Sequence, residues 1–411
     1  MFEKLKSDNM RKLIESFLSL SVLNIVNYIF PLIIIPVLIK RLGFENYGIY
    51  IFAYTILNYF NLIVQYGFNF SATNKIAKNQ NDNQLIQVTY SSVSVIRILL
   101  SVILILGLLI SYIIIPDKLE IYLYGIGVFL GQGLIPIWLF QGLEKMRFIT
   151  VINLIVRVLA FLLIFLFVKN PADMNKLMIF QSISFMIGAM VSIYMVRRQL
   201  SVKFVIPSMT QIKADFVEGW QLFLSTIGMN FYRESNIVIL GIMTNYTIVG
   251  YYAPAEKLIK ALQSFTNIIV TALYPYFSKK FVTAKEDIVR SFAKVGKYLA
   301  IFFFAIWLIF FIIAPYIIKL YLGDTIPRTV LDLRLLSCVI FFGGLNYYYG
   351  IIGLVNKGKQ TEFTKSVWIS GIISVICCVI LSTIWEDLGA AIAMAIAEII
   401  LLIMILVKIR K

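Results

Sequence analysis

Histidine is absent from the 411 residues. That removes imidazole metal ligands and histidine acid–base chemistry together. Cysteine is scarce: Cys338, Cys377 and Cys378 fall in apolar runs without metal-type spacing and read as packing thiols. Charge is scarce as well, at 14% of residues against 60% hydrophobic, with a mean hydropathy of +0.88. So little charge over so long a chain excludes an ordinary water-soluble domain and points to a polytopic helical membrane protein. The charge that is present leans one way, with 37 Lys+Arg against 21 Asp+Glu and a net +16. It lies between apolar runs rather than in a patch suited to nucleic acid, so the positive-inside bias explains it.

Apolar runs predict spans near 15–39, 47–69, 88–115, 119–141, 148–168 and 175–196. A second set follows at 217–243, 247–275, 295–320, 331–355, 363–384 and 388–407. At about 20 residues per span, twelve helices fit the length. The longest linker, 197–216, divides them into two six-span lobes, 1–203 and 204–411. Glu3, Lys4, Lys6, Arg11 and Lys12 precede the first run, and no small-residue cleavage site follows it, so the first span reads as uncleaved. With the N-terminus cytoplasmic, 24 Lys+Arg fall on the inner side, eight on the outer side and five within spans. That bias predicts both termini inside. The basic 279–297 segment reads as a topogenic loop facing anionic lipid.

The two halves repeat. Gly48-Ile49-Tyr50-Ile51-Phe52-Ala53 matches Gly250-Tyr251-Tyr252-Ala253-Pro254-Ala255 at an offset of 202. At the same offset Tyr54, Asn58, Asn61 and Gln65 of span 2 fall on Glu256, Lys260, Gln263 and Asn267 of span 8. Both sets follow i, i+4, i+7, i+11, one face of a helix. Six spans per half give the halves one orientation, a parallel repeat with a substrate site expected between them.

The five cations within spans are Arg97, Arg157, Arg233, Lys257 and Lys260, accompanied by Glu234, Glu256 and Glu398. A charge at bilayer depth costs at least ~2.5–3.5 kcal/mol and normally faces a bundle interior or a wet cavity. At ~1.5 Å per residue, Arg233, Glu234, Glu256 and Lys257 lie ~14 Å below the outer surface, near the midplane. Midplane cations suit an anionic headgroup, with Arg supplying paired donors and Lys a point charge. The bland readings stand beside this one. The charges of spans 7 and 8 also suit ion-pair struts, Arg97 and Arg157 suit caps on helix-end carbonyls, and Glu398 suits a packed polar contact. Tyr251-Tyr252 and Tyr347-Tyr348-Tyr349 read as interfacial belts.

Gly43-Phe44-Glu45-Asn46-Tyr47-Gly48-Ile49-Tyr50, Tyr66-Gly67-Phe68-Asn69-Phe70-Ser71-Ala72-Thr73, Val249-Gly250-Tyr251-Tyr252-Ala253 and Pro275-Tyr276-Phe277-Ser278 carry a family resemblance. The chain resembles the polysaccharide (O-antigen, capsule, exopolysaccharide) repeat-unit flippases, Wzx type, of the MATE-like MOP transporter superfamily. The resemblance implies an all-α fold of twelve transmembrane helices in two six-helix lobes around a central cavity lined by spans 1, 2, 7 and 8. It implies a non-enzymatic flippase that moves undecaprenyl-diphosphate-linked oligosaccharide from the cytoplasmic to the outer leaflet of a bacterial inner membrane by alternating access. A MATE-type drug exporter is the alternative. Partners implied are membrane lipids and the pathway's polymerase and chain-length regulator; no cofactor is expected beyond H+ or Na+ as coupling ion, and no metal site. Cavity candidates are Asn24, Asn58, Asn61, Gln65, Arg97, Arg157, Asn230, Arg233, Lys260, Gln263 and Asn267. Glu234, Glu256, Lys257 and Glu398 are the gating or coupling candidates. Within this set Arg233 is expected to pair with Glu256, leaving Lys260 unpaired for the headgroup.

Overall fold

A computed structural model describes the backbone of residues 2–283 and 285–410. It describes the side chains of these residues except 2–28, 116–118, 225, 228–233, 275, 279–289 and 410. Every described regular element is helical. Helix α1, Phe2–Gln65, is broken at Gly43, whose φ of 79° and ψ of 170° only glycine adopts cheaply, and its two arms are spans 1 and 2. Helix α2, Phe68–Lys78, extends span 2 beyond Gly67. Helix α3, Asn83–Ile114, begins where the Asp82 carboxylate accepts the Leu85 N–H at 2.9 Å.

Span 4 is built from three short pieces, α4 Pro116–Tyr124, α5 Ile126–Leu134 and α6 Ile137–Gly142. Pro136 has no N–H to offer the preceding turn, so the helix breaks there. Helices α7, Met146–Phe167, and α8, Met174–Gln199, complete the first six spans. The expected 197–216 linker is shorter than its hydropathy implied. The chain is non-helical only from 200 to 208, and α9, Met209–Met243, starts where Ser208 Oγ accepts the Gln211 N–H at 3.2 Å. The first two turns of α9 are polar, which is why apolar counting missed them.

Helices α10, Tyr246–Thr283, and α11, Lys285–Leu322, follow. Helix α12, Pro327–Tyr347, continues into a π-helical stretch, Tyr348–Val355. Helix α13, Gln360–Arg410, is broken at Glu386 (φ 51°, ψ −124°), and its arms lie antiparallel: Ser370 Oγ donates to Ala397 O at 2.6 Å, and Lys408 Nζ meets Glu362 at 2.5 Å. Spans 11 and 12 are these arms. Among the described residues seven helices are individually long and apolar enough to cross a membrane, and the hairpin Gln360–Ile409 counts among them as one. Helix α10, which carries the charged stripe, is not among them.

The surface is inverted relative to a soluble protein. Ile113 is 81% exposed and Leu320 90%, with Ile103, Ile110 and Ile114 of α3 and Phe302, Leu308 and Ile312 of α11 also outward. Rows of exposed aliphatic and aromatic side chains of this extent are lipid-facing.

Packing divides the chain into two compact units whose boundary differs from the break at 203/204. One unit holds Met1–Ile34 and Ala53–Gly228; the other holds Ile35–Phe52 and Met229–Lys411. The bend around Gly43 therefore packs with the second unit, and the first turns of α9 pack with the first.

Candidate functional site

In the second unit, the bend after Gly43 meets the start of α10 backbone to backbone. A Cβ on Gly48 would stand 1.7 Å from Tyr246 O, and a Cβ on Gly250 would stand 2.1 Å from Phe44 O. Phe44 and Tyr246 are themselves 202 residues apart, so the two contacts are one contact made twice. The repeat read from sequence is thus physically expressed as a reciprocal helix crossing. Phe44 packs on Tyr251 at 4.5 Å between ring centroids and Phe52 on Tyr246 at 5.4 Å, which closes the crossing with aromatic surface.

Beyond this crossing lies the charged face of α10. Tyr252 is fully buried and its Oη accepts a hydrogen bond from Asn236 Nδ2 of α9 at 3.0 Å. One turn on, Glu256 is 1% exposed. Lys260 Nζ stands 3.2 Å from Glu234 Oε1 and 3.3 Å from Glu256 Oε2. The expectation of an unpaired Lys260 is therefore overturned. Glu256 lies four residues away on the same face, Glu234 reaches the same ammonium from α9, and a lone buried cation would cost several kcal/mol. Asn24, Asn230 and Arg233 lie outside the described side chains, so the expected Arg233–Glu256 pair lies outside them too. Lys257, turned off the stripe, is half-buried and has no ion pair among the described residues.

The stripe continues into neutral chemistry. Gln263 Nε2 and Glu398 Oε2 flank Gly343, at 2.6 and 3.5 Å from where its Cβ would stand. Glu398, 6% exposed, accepts from Asn346 Nδ2 at 2.6 Å. Asn267 is half-buried, and its carbonyl accepts from Thr271 Oγ1 at 2.7 Å.

In the first unit the span 2 stripe is an amide ladder. Asn61, 6% exposed, donates to Gln132 Oε1 at 3.0 Å, and Gln65 Oε1 accepts from Asn69 Nδ2 at 2.7 Å. Asn69 Oδ1 in turn accepts from Arg97 Nη2 at 3.3 Å. The other arm of that guanidinium donates to Gly133 O at 3.1 Å and Ile135 O at 3.3 Å, carbonyls at the break before Pro136; Ile135 O also accepts from the Ile137 N–H at 2.9 Å. Arg97 is thus held as the cap of a broken helix. Arg157 is half-buried, its Nε has no hydrogen-bond partner, and no acidic side chain pairs with it among the described residues. Asn58 is half-buried.

Two features escaped the sequence reading. Tyr66 stacks between Phe216 and Phe223 of α9 at 4.4 and 4.6 Å, and Lys75 Nζ meets the buried Asp215 at 2.6 Å. The low hydropathy of 209–216 hid this helix, and with it these contacts. The tyrosine clusters also differ from the expected belts. Tyr252 and Tyr348 are fully buried, and Tyr348 Oη donates to Phe292 O at 2.9 Å. The Tyr348 ring serves the core of the second unit, with Phe277, Phe292 and Phe303.

Known proteins place this geometry in context. Residues 13–281 match the family model described as "Polysaccharide biosynthesis protein". A protein of Escherichia coli K12 named "Putative O-antigen transporter" is 28% identical over 406 residues, covering 98% of both chains. One of the same name from Shigella dysenteriae is 28% identical over 267 residues, covering 64% of this chain and 67% of that one. Among solved structures, the lipid II flippase MurJ in an inward closed conformation superposes with a TM-score of 0.73 at 13% identity. It covers 97% of this chain and 88% of that one. An inward-facing multidrug resistance MATE transporter of the MOP superfamily gives 0.66 at 13% identity over 96% and 98%. The helical fold is therefore that of MurJ and the MATE transporters, and the chain belongs to the polysaccharide biosynthesis protein family.

Proposed function

We propose that this protein is a flippase that translocates undecaprenyl-diphosphate-linked oligosaccharide repeat units from the cytoplasmic to the outer leaflet of a bacterial inner membrane, by alternating access and with both termini cytoplasmic. The observation that carries the reading is the match, end to end, to a relative named as an O-antigen transporter. The charge layout supports it. The described side chains leave Arg157 and Lys257 as cations without acidic partners. A diphosphate offers such cations the counter-charge they lack, and Arg157 offers it a planar, paired donor. Arg97 is not assigned to substrate, because its guanidinium is already engaged with carbonyls. The pathway's polymerase and chain-length regulator are the partners this reading implies.

The test uses purified protein in proteoliposomes, with the lipid-linked oligosaccharide placed in one leaflet and its appearance in the other followed with time. Translocation of that lipid, without transport of an organic dye cation, is the expected result. Transport of the dye cation without movement of the lipid replaces the reading with a drug exporter.

A further inference from the structure

Away from the charged face of α10, a second set of charges gathers at the open end of the α13 hairpin. The π-helical stretch Tyr348–Val355 is followed by a left-handed turn at Gly358, whose φ is 75°. The lysines on either side of that glycine turn back onto the end of span 12. Lys357 Nζ donates to Ile409 O at 3.4 Å, and Lys359 Nζ to Lys408 O at 3.2 Å. Lys408 Nζ in turn meets Glu362 Oε2 of span 11 at 2.5 Å. A core of Leu354, Leu401 and Ile405 joins the same three segments, with Phe363 and Ile409 packed against it. These ammoniums are held by the fold rather than loose in a loop.

Charge does not balance here. A carbonyl accepts from an ammonium without cancelling its charge, so Lys357 and Lys359 keep theirs. Lys365 lies one turn beyond Glu362 on the same side of α13 and is exposed. Four lysines stand against one carboxylate, and among the described residues no other acidic side chain pairs with them. The row headed by Lys365 continues along α13 as Trp368, Ile369, Ile372, Ile376 and Ile380, all outward, with Trp368 39% and Ile372 55% exposed. Cations, then an indole, then an aliphatic row is the order of chemistry met on passing from phospholipid headgroup to acyl chain. An acidic peptide would answer the lysines and leave the aliphatic row uncovered.

We propose that the open end of the α13 hairpin binds one anionic glycerophospholipid, of the phosphatidylglycerol type. Its phosphodiester sits among the ammoniums of Lys357, Lys365 and Lys408. The indole of Trp368 lies at the ester level, and an acyl chain follows Ile369, Ile372 and Ile376. The phosphate supplies part of the missing counter-charge and gives Lys408 a second anion beside Glu362. The lipid thereby ties span 11, span 12 and the Gly358 turn together, at the point where Lys408 and Glu362 join the two arms. That this end faces the inner leaflet rests on the proposed function, which places both termini in the cytoplasm; the binding itself does not.

The test is quenching of tryptophan emission from the full chain in phosphatidylcholine vesicles. These contain brominated phosphatidylglycerol or, at equal fraction, brominated phosphatidylcholine. Subtracting the emission of Trp368→Phe isolates Trp368, and subtracting that of Trp385→Phe isolates Trp385, at the far end of the same arm and 51% exposed. No lipid-linked sugar is needed, so failure here is separable from failure of the flipping assay. The expected result is a preference of Trp368 for the anionic lipid on the order of fivefold in relative association, and none at Trp385. Lys357→Gln with Lys365→Gln, which leaves Lys408 on Glu362, removes the preference. Glu362→Gln, which removes the one carboxylate, increases it. The proposal is overturned if the two lipids quench Trp368 equally in the wild type, if the preference survives the paired lysine changes, or if inorganic phosphate abolishes it. The last outcome would identify a site for phosphate rather than for a lipid. Should the paired lysine variant fail to fold, Glu362→Gln decides, and an unchanged preference there overturns the proposal.

Discussion

The stripes of span 2 and span 8 occupy the same positions of the repeat and have diverged in chemistry. Asn61 pairs with the Gln132 amide, and Gln65 joins through Asn69 to Arg97, with both contacts of the stripe itself neutral. Their counterparts by repeat, Gln263 and Asn267, are amides as well; the divergence lies one to two turns earlier, where Glu256 and Lys260 stand for Tyr54 and Asn58 and form an ionic triad with Glu234. The polar face recurs in both halves, while its charge lies on one copy. A neutral ladder fixes a helix against its neighbours, whereas an ionic triad changes energy whenever another charge approaches. On the proposed function, span 8 is the copy expected to respond to a charged substrate.

The largest break in this comparison is Lys260→Ala. It leaves Glu256 buried without its counter-ion, at a cost of about 3–5 kcal/mol. Loss of monodisperse protein in detergent, or a large fall in melting temperature, is the expected readout. Adding Glu256→Gln to the same chain recovers most of that loss. A Lys260→Ala protein as stable as the wild type would mean the triad carries no buried charge. Next in size are Gly48→Ala and Gly250→Ala, each placing a methyl against a backbone carbonyl, for roughly 1–3 kcal/mol or more. Because the crossing is reciprocal the two losses should be alike, and a silent substitution at either glycine would break the symmetry.

Asn61→Ala is smaller, about 1–3 kcal/mol at most, since it leaves only the neutral Gln132 amide without its donor. The double change Asn61→Leu with Gln132→Leu should return close to wild-type stability, and flipping should persist in it. Smallest is Lys257→Ala, expected within ±0.5 kcal/mol on thermal stability because no described side chain pairs with it. A measurable effect on flipping with that stability intact would place Lys257 with Arg157 among the headgroup contacts.

Much of this was legible before any coordinates. Apolar runs located most of the helices, because hydropathy is a local property of the chain. The offset of 202 marked Gly48 and Gly250 as equivalent positions, and only the structure shows that each glycine meets the other's neighbour. Pairing was less legible. Lys260 had candidate partners on two helices, and the choice of Glu234 and Glu256 together depends on how α9 lies against α10. Arg97 had two readings, and the break at Pro136 supplies the carbonyls that decide where its guanidinium rests.

The most direct measurement compares flipping of the lipid-linked oligosaccharide in proteoliposomes by the wild type and by a chain carrying Glu256→Gln and Lys260→Asn. These changes give span 8 the neutral character of span 2. The account predicts that both proteins fold, that the wild type moves the lipid, and that the neutral variant is slower on the order of tenfold or more, about 1.4 kcal/mol of lost stabilisation. Equal rates would contradict it, because the triad would then be a strut with no part in transport.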